Sequence, residues 1–122
     1  MKNEARGLRR LYNAFFYSMA GFKSAFYHEE AFRQEVIIAL IFIPLGLLIG
    51  SGPIEKILLV GSVLLVLIVE LLNSGIEAVV DRVGAEYHEL AKRAKDYGSA
   101  AVLLSLVNLT VVWVFLMLKQ WV

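Results

Sequence analysis

Apolar residues dominate three segments of this chain, and polar or charged residues separate them. The apolar segments cover 36–50, 57–69 and 100–118. A helix needs about 20 predominantly apolar residues to cross a ~30 Å hydrocarbon core, so each segment is extended by its flanking turns. The pattern therefore predicts three transmembrane helices at about 31–50, 54–80 and 98–118. Ser51-Gly52-Pro53 forms the turn between the first two, and a charged loop at 81–97 precedes the third.

Residues 1–30 have the pattern of an amphipathic helix. Apolar side chains recur at steps of three, one and four residues, which places them on one helical face. They are Leu8, Leu11, Tyr12, Phe15, Phe16, Met19, Phe22 and Phe26. Aromatic residues opposite basic ones favour a surface helix in the membrane interface. An ordinary helix that faces a protein core would show the same pattern and stays an alternative.

Composition and charge agree with an all-α membrane protein of one domain, 1–122. The hydrophobic fraction is 59% and the mean hydropathy is +0.69, both above the averages of soluble domains. The net charge of +1 gives no support to a nucleic-acid partner. Of the 12 Lys and Arg residues, six lie in 1–35 and four in 81–97. The positive-inside rule therefore predicts a cytoplasmic N-terminus and an outside (periplasmic) C-terminus.

Four polar residues follow the second apolar segment at helical spacing. Asn73, Glu77 and Asp81 lie three, seven and eleven residues after Glu70, so an α-helix carries all four in one stripe. A carboxylate near membrane depth is costly, which makes Glu70 a candidate functional residue. Asp81 comes where the helix leaves the membrane, and we expect it to be a solvated bystander.

The spacing of these residues does not decide which chemistry they perform. Glu77 and a second acid such as Glu29 could bind Mg²⁺ together with substrate phosphates, and the poorly solvated Glu70 suits a general base. A small transporter or proton relay would use the same intramembrane acids. Glu77 could also belong to a solvated helix face. Neither glycine-rich phosphate loop of soluble nucleotide-binding enzymes is present.

Several motifs along the chain carry a family resemblance. They are Ala31-Phe32-Arg33-Gln34-Glu35, Val69-Glu70-Leu71-Leu72-Asn73-Ser74, Ile76-Glu77-Ala78-Val79-Val80-Asp81-Arg82, Glu86-Tyr87-His88-Glu89-Leu90, Arg93-Ala94-Lys95-Asp96 and Gly98-Ser99-Ala100-Ala101-Val102. The chain closely resembles the prokaryotic integral-membrane diacylglycerol kinases over nearly its whole length. The resemblance implies a homotrimer of three-span protomers in the bacterial inner membrane. It also implies transfer of the ATP γ-phosphate to diacylglycerol with Mg²⁺, which yields phosphatidic acid.

The resemblance also implies roles for individual residues. Glu70 would be the general base, Asn73 would orient it, and Glu29 and Glu77 would hold the metal. The residues implied in ATP binding are Arg10, Tyr17, Glu29, Glu77, Glu86, Tyr87, His88, Lys95 and Asp96. Those implied in binding the lipid substrate are Arg10, Ala14, Ser18, Arg33, Gln34, Glu35, Glu70, Ser99 and Trp113.

Other functions remain as alternatives. The related undecaprenol kinases share the Glu-x-x-Asn and Ile-Glu-Ala elements, while the motif at 31–35 favours diacylglycerol. A proton-coupled transporter is disfavoured because the chain lacks paired half-repeats. A non-catalytic membrane subunit would leave the acidic stripe without a purpose. Two departures from the family pattern, Gly75 for Ala and His28 for Asn, do not touch the carboxylates.

Overall fold

The computed structural model describes residues 6–84 and 86–119. Four helices cover most of these ranges, and no strand occurs within them: α1 (Leu8–His28), α2 (Glu30–Ile49), α3 (Gly52–Val83) and α4 (Glu89–Leu118). The predicted all-α architecture is confirmed. Residues 1–5 of the predicted surface helix, residue 85 of the predicted loop and residues 120–122 lie outside the described residues.

Helices α2, α3 and α4 are each long and apolar enough to cross a membrane. The mean hydropathies of their most apolar stretches are 2.0, 2.4 and 2.5, and at most 33% of the residues in these stretches are buried within the chain. Most of their apolar side chains therefore face outward. A continuous apolar exterior of this size is typical of a protein in contact with lipid or with other chains.

The connection between α3 and α4 is shorter than the sequence pattern predicts. Helix α4 begins at Glu89, so 89–97 are its first turns and not part of a loop. The Leu90 backbone N–H donates to His88 Nδ1 at 3.1 Å and thereby caps the helix. Charged residues four apart then support it, with 2.6 Å between Lys92 Nζ and Asp96 Oδ2. Such pairs stabilise a helix even where its sequence is too polar to be buried.

Helix α3 packs against both α2 and α4, and the apolar core lies between them. The core consists of the buried residues Ala39, Leu59, Val63 and Trp113. Trp113 Nε1 donates to the Leu59 carbonyl oxygen at 3.3 Å and to Ser62 Oγ at 3.2 Å. These bonds satisfy the indole N–H, which would otherwise be a costly polar group in apolar surroundings.

A turn and an ion pair hold the opposite end of the bundle from the acidic stripe. Gly52 has a φ of 85°, a conformation that favours glycine, and it joins α2 to α3 at the predicted turn. Glu55 accepts a hydrogen bond from the Ser51 backbone N–H at 3.0 Å and forms an ion pair with Lys119. The start of α3 is thereby tied to the end of α4.

Gly46→Ala tests how tightly α2 packs on this core. A Cβ at residue 46 would lie 3.1 Å from Leu59 Cβ and 3.5 Å from the Trp113 ring. We expect a loss of about 1–3 kcal/mol in the free energy of unfolding, which is the usual cost of overpacking. The measurement is SDS titration in mixed micelles, followed by far-UV circular dichroism.

Gly61→Ala is the matched control, because a Cβ at residue 61 would meet nothing within 4 Å. It is expected to raise the stability by up to about 1 kcal/mol through helix propensity. Equal stability changes in the two variants would contradict the packing described here.

Candidate active site

The polar stripe of α3 lies in the same bundle as the apolar core. Glu70 and Asn73 are buried, with 6% and 9% of their surfaces exposed, and Glu77 is half-buried. Asn73 Nδ2 donates to Glu77 Oε1 at 3.4 Å, a contact between residues four apart. The spacing in the sequence predicted this shared face. Asp81 continues the stripe and is exposed.

A second helix brings another carboxyl group to the stripe. Glu35 of α2 lies close enough to Glu70 for the two carboxyl groups to interact. Its Oε2 atom is buried and has no hydrogen-bond partner among the described residues. Glu29 and Glu77 are also close enough to act electrostatically on Glu70. Four carboxyl groups thus lie in one region of the bundle: those of Glu29, Glu35, Glu70 and Glu77.

Arg33 fixes the bend at which Glu29 lies. Glu29 is extended, with φ −112° and ψ 110°, and separates α1 from α2. Arg33 Nη1 donates to the carbonyl oxygens of Phe26 and Tyr27, each at 2.9 Å. It therefore caps the C-terminal end of α1, where carbonyls lack helical partners and a cation is favourable. The family resemblance implied only a lipid-binding role for Arg33, and this capping role was missed.

A groove of about 540 Å³ lies between α1 and α3. Its walls are mostly apolar or small, with a carboxylate and a few hydroxyl groups. The lining residues are Ser18, Gly21, Phe22, Ser24, Ala25, His28, Glu29, Leu71, Ser74, Gly75 and Ala78. The groove brings two of the predicted site residues, Ser18 and Glu29, to the stretch of α3 that follows Glu70.

A second cleft, of about 280 Å³, lies where α3 turns into α4. It gathers five of the residues predicted for ATP binding: Glu86, Tyr87, His88, Lys95 and Asp96. Asp81 lines the same cleft, and its Oδ1 lies 2.8 Å from Lys95 Nζ. Asp81, which we expected to be a solvated bystander, thus pairs with Lys95 across the connection between the two helices.

Other predicted residues lie apart from this region. Trp113 belongs to the apolar core and bonds to the Leu59 carbonyl, eleven residues or about 16 Å along α3 from Glu70. The remaining ones are exposed on α1, α2 and α4 and line neither cleft described above: Arg10, Ala14, Tyr17, Gln34 and Ser99.

Comparison with known proteins identifies the family. The family model described as prokaryotic diacylglycerol kinase matches residues 16–117. The chain belongs to the prokaryotic diacylglycerol kinase family. The resemblance carried by the sequence motifs is confirmed, as is the prediction that the protein is an enzyme of this kind.

Curated relatives named diacylglycerol kinase are similar over most of the chain. The one from Haemophilus influenzae is 53% identical over 107 residues, which cover 88% of this chain and 91% of the relative. The one from Pseudomonas aeruginosa is 50% identical over 112 residues, covering 92% and 91%. The one from Escherichia coli strain K12 is 46% identical over 117 residues and covers 96% of both chains. The similarity therefore extends over nearly the whole length of this chain and of each relative.

Arg33→Gln tests the cap on α1. Gln is too short to reach both carbonyls and carries no charge, so the last turn of α1 should fray. We expect a loss of about 1–3 kcal/mol in the free energy of unfolding, the usual value of hydrogen bonds from a charged donor. Backbone hydrogen exchange at 26–29 should accelerate at the same time. The control is Lys23→Gln, which removes an exposed cation from the C-terminal half of α1. Equal acceleration in both variants would contradict the capping role.

Proposed function

We propose that this protein transfers the γ-phosphate of ATP to the hydroxyl group of diacylglycerol and so produces phosphatidic acid in the membrane. One observation carries the proposal: Glu70 and Asn73 are buried polar residues in a helix that otherwise has the composition of a membrane span. The names of the curated relatives supply the substrate class. The groove between α1 and α3 contacts α3 at 71–78, and the cleft between α3 and α4 contacts it from residue 80 onward. The lipid and the nucleotide would therefore meet near Glu77.

Glu70 is the proposed general base. Phosphoryl transfer requires mainly positioning and neutralisation of charge, so a base that accepts the hydroxyl proton can be a single carboxylate. Burial of Glu70 suits a substrate whose hydroxyl group stays at the membrane surface. Glu35, which interacts with Glu70, is proposed to help hold the lipid headgroup together with Ser18 in the groove.

Glu29 and Glu77 are the proposed ligands of a magnesium ion that arrives with ATP. Within the described residues, no group of three or more His, Asp or Glu side chains forms a metal site. Magnesium commonly binds to one or two carboxylates and completes its shell with water and substrate phosphates, so a pair of acids is enough. The bound ion would neutralise phosphate charge. Asn73 donates to Glu77 and thereby fixes the direction of that carboxylate.

The cleft between α3 and α4 is the proposed site for the nucleotide. Lys95 supplies a positive charge there, and its ion pair with Asp81 keeps the ammonium group at the cleft. Glu86, Tyr87, His88 and Asp96 line the same space. Arg10 and Tyr17 of α1 are further proposed ATP contacts, and Ala14, Arg33, Gln34, Ser99 and Trp113 further proposed contacts of the lipid.

The arrangement in the membrane is also a proposal. No residue of α1 is buried within the chain, and its aromatic residues are exposed, which supports a helix in the membrane interface. The outward apolar surfaces of α2 and α4 support lipid contact and assembly into a homotrimer. A detergent-corrected mass of one chain would contradict the trimer. The distribution of Lys and Arg supports a cytoplasmic N-terminus and active site in the inner membrane.

The decisive experiment measures ATP turnover by the purified protein in mixed micelles with diacylglycerol, and in parallel with undecaprenol. We expect Mg²⁺-dependent formation of phosphatidic acid and a clear preference for diacylglycerol. A preference for undecaprenol would place the chain in the alternative branch. Flux in sealed liposomes without ATP, combined with no lipid phosphorylation, would support a transporter instead.

Glu70→Gln is the negative control for this assay. The substitution keeps the size and shape of the side chain but removes the base, so the rate should fall by about 10²–10⁴-fold. Far-UV circular dichroism should show an intact fold. Full activity in this variant would contradict the role of Glu70.

Asp81→Asn tests the nucleotide cleft. The substitution removes the ion pair that holds Lys95, so we expect a higher KM for ATP and an unchanged KM for diacylglycerol. Both side chains are largely exposed, so the free energy of unfolding should change by no more than about 1 kcal/mol. Arg93→Gln, which breaks the exposed pair with Glu89 on the same turns of α4, is the matched control. The same KM for ATP in both variants would contradict the positioning of Lys95.

A further inference from the structure

The backbone of α4 lies directly on the side chain of Asn73. The contact is made at Gly98, which is buried. A Cβ added at residue 98 would overlap Asn73 Oδ1 and would lie 3.2 Å from its Cγ, but 3.8 Å from its Cβ. The missing side chain of Gly98 is thus the space that the Asn73 amide occupies.

Two glycines of the neighbouring helix α3 do not form such a contact. A Cβ at Gly61 or Gly75 would meet nothing within 4 Å. The close approach at Gly98 is therefore not a general property of the helical glycines, and the atoms it meets are those of Asn73.

The contact restricts the direction of the amide group. Terminal amide torsions of Asn have broad energy wells, so neighbouring atoms decide how the group points. Asn73 Oδ1 is buried without a hydrogen-bond partner among the described residues, whereas Nδ2 donates to Glu77. The oxygen lies on the Gly98 side and the nitrogen on the Glu77 side.

We propose that Gly98 is a positioning residue, which seats the Asn73 amide and thereby holds the Glu77 carboxylate in place for the metal-bound nucleotide. The contact itself depends only on the geometry of α3 and α4. Its consequence for catalysis rests on the proposed function, in which Glu77 is a metal ligand.

An unfolding cycle tests the contact without any activity measurement. It compares the native protein, Gly98→Ala, Asn73→Ala and the double variant by thermal unfolding in detergent. Gly98→Ala should lower the Tm of the native protein. In the Asn73→Ala background the new methyl group faces only a Cβ at ordinary contact distance, so Gly98→Ala should leave the Tm unchanged or raise it. Gly61→Ala is the control and should behave alike in both backgrounds.

Steady-state kinetics test the positioning role. Gly98→Ala should raise the Mg²⁺ concentration for half-maximal activity by about tenfold or more, the usual effect of losing a partner that orients a metal ligand. The KM for diacylglycerol should stay unchanged. A residue with a merely structural role would instead reduce the fraction of active enzyme and leave the Mg²⁺ dependence where it is.

Each outcome decides a separate part of the proposal. Equal Tm losses in both backgrounds, or failure of Gly98→Ala to fold with and without Asn73, would overturn the contact. Folding of the double variant alone would support it. A confirmed contact with unchanged Mg²⁺ dependence would overturn the positioning role. A native protein without kinase activity would overturn the proposed function, while the unfolding cycle would still decide the contact.

Discussion

Burial of polar side chains in an apolar helix is the constraint on which this structure depends. Glu70 and Asn73 have nearly no contact with water, and the membrane offers no other polar partners. Their neighbours must therefore come from the adjoining helices. Glu35 of α2 lies on one side of the stripe, and the side-chain-free backbone of Gly98 lies on the other. The positions of α2 and α4 are set by what α3 carries.

The two halves of α3 make different kinds of contact. Toward the turn with α2, the helix is packed by Leu59, Val63 and Trp113, and its polar groups are bonded within the bundle. Toward the C-terminal end of α3, the contacts are polar: Asn73 with Glu77 and Asp81 with Lys95. A well-packed apolar half can supply stability, so the other half is able to carry carboxylates that contribute little or even oppose folding. This division is common where a site is placed on a rigid element.

The sequence predicted those features that depend on one helix alone. Apolar length predicted three spans, and helical spacing placed Glu70, Asn73 and Glu77 on one face. The turn at Ser51-Gly52-Pro53 was also predicted, but the side-chain contacts between helices were missed. The cap that Arg33 places on α1 depends on the bend at Glu29, which has no glycine or proline to signal it.

The same reason explains the outcome for Asp81 and for Gly98. Periodicity shows which face Asp81 occupies but not that Lys95 lies 2.8 Å away on the next helix. The residues around Gly98 do not reveal in the sequence that Asn73 packs there, because that contact forms only when α3 and α4 lie together. Glu35 was connected with the lipid through family resemblance, and its contact with Glu70 emerges only when α2 and α3 are packed together.

The placement of polar groups across the membrane also bears on the class of protein. A proton pathway needs polar or ionisable groups that continue from one surface to the other. Between Glu70 and the Glu55–Lys119 pair at the opposite end of the bundle, 36–50, 57–69 and 98–118 contain no charged residue. Two further buried polar residues, Ser62 and Ser105, lie in this part of the bundle. Each donates a hydrogen bond to a carbonyl oxygen of its own helix. Trp113 donates to Ser62 Oγ and packs in the apolar core with Ala39, Leu59 and Val63. The charged groups therefore form no continuous path along the bundle, which weighs against a proton-coupled transporter.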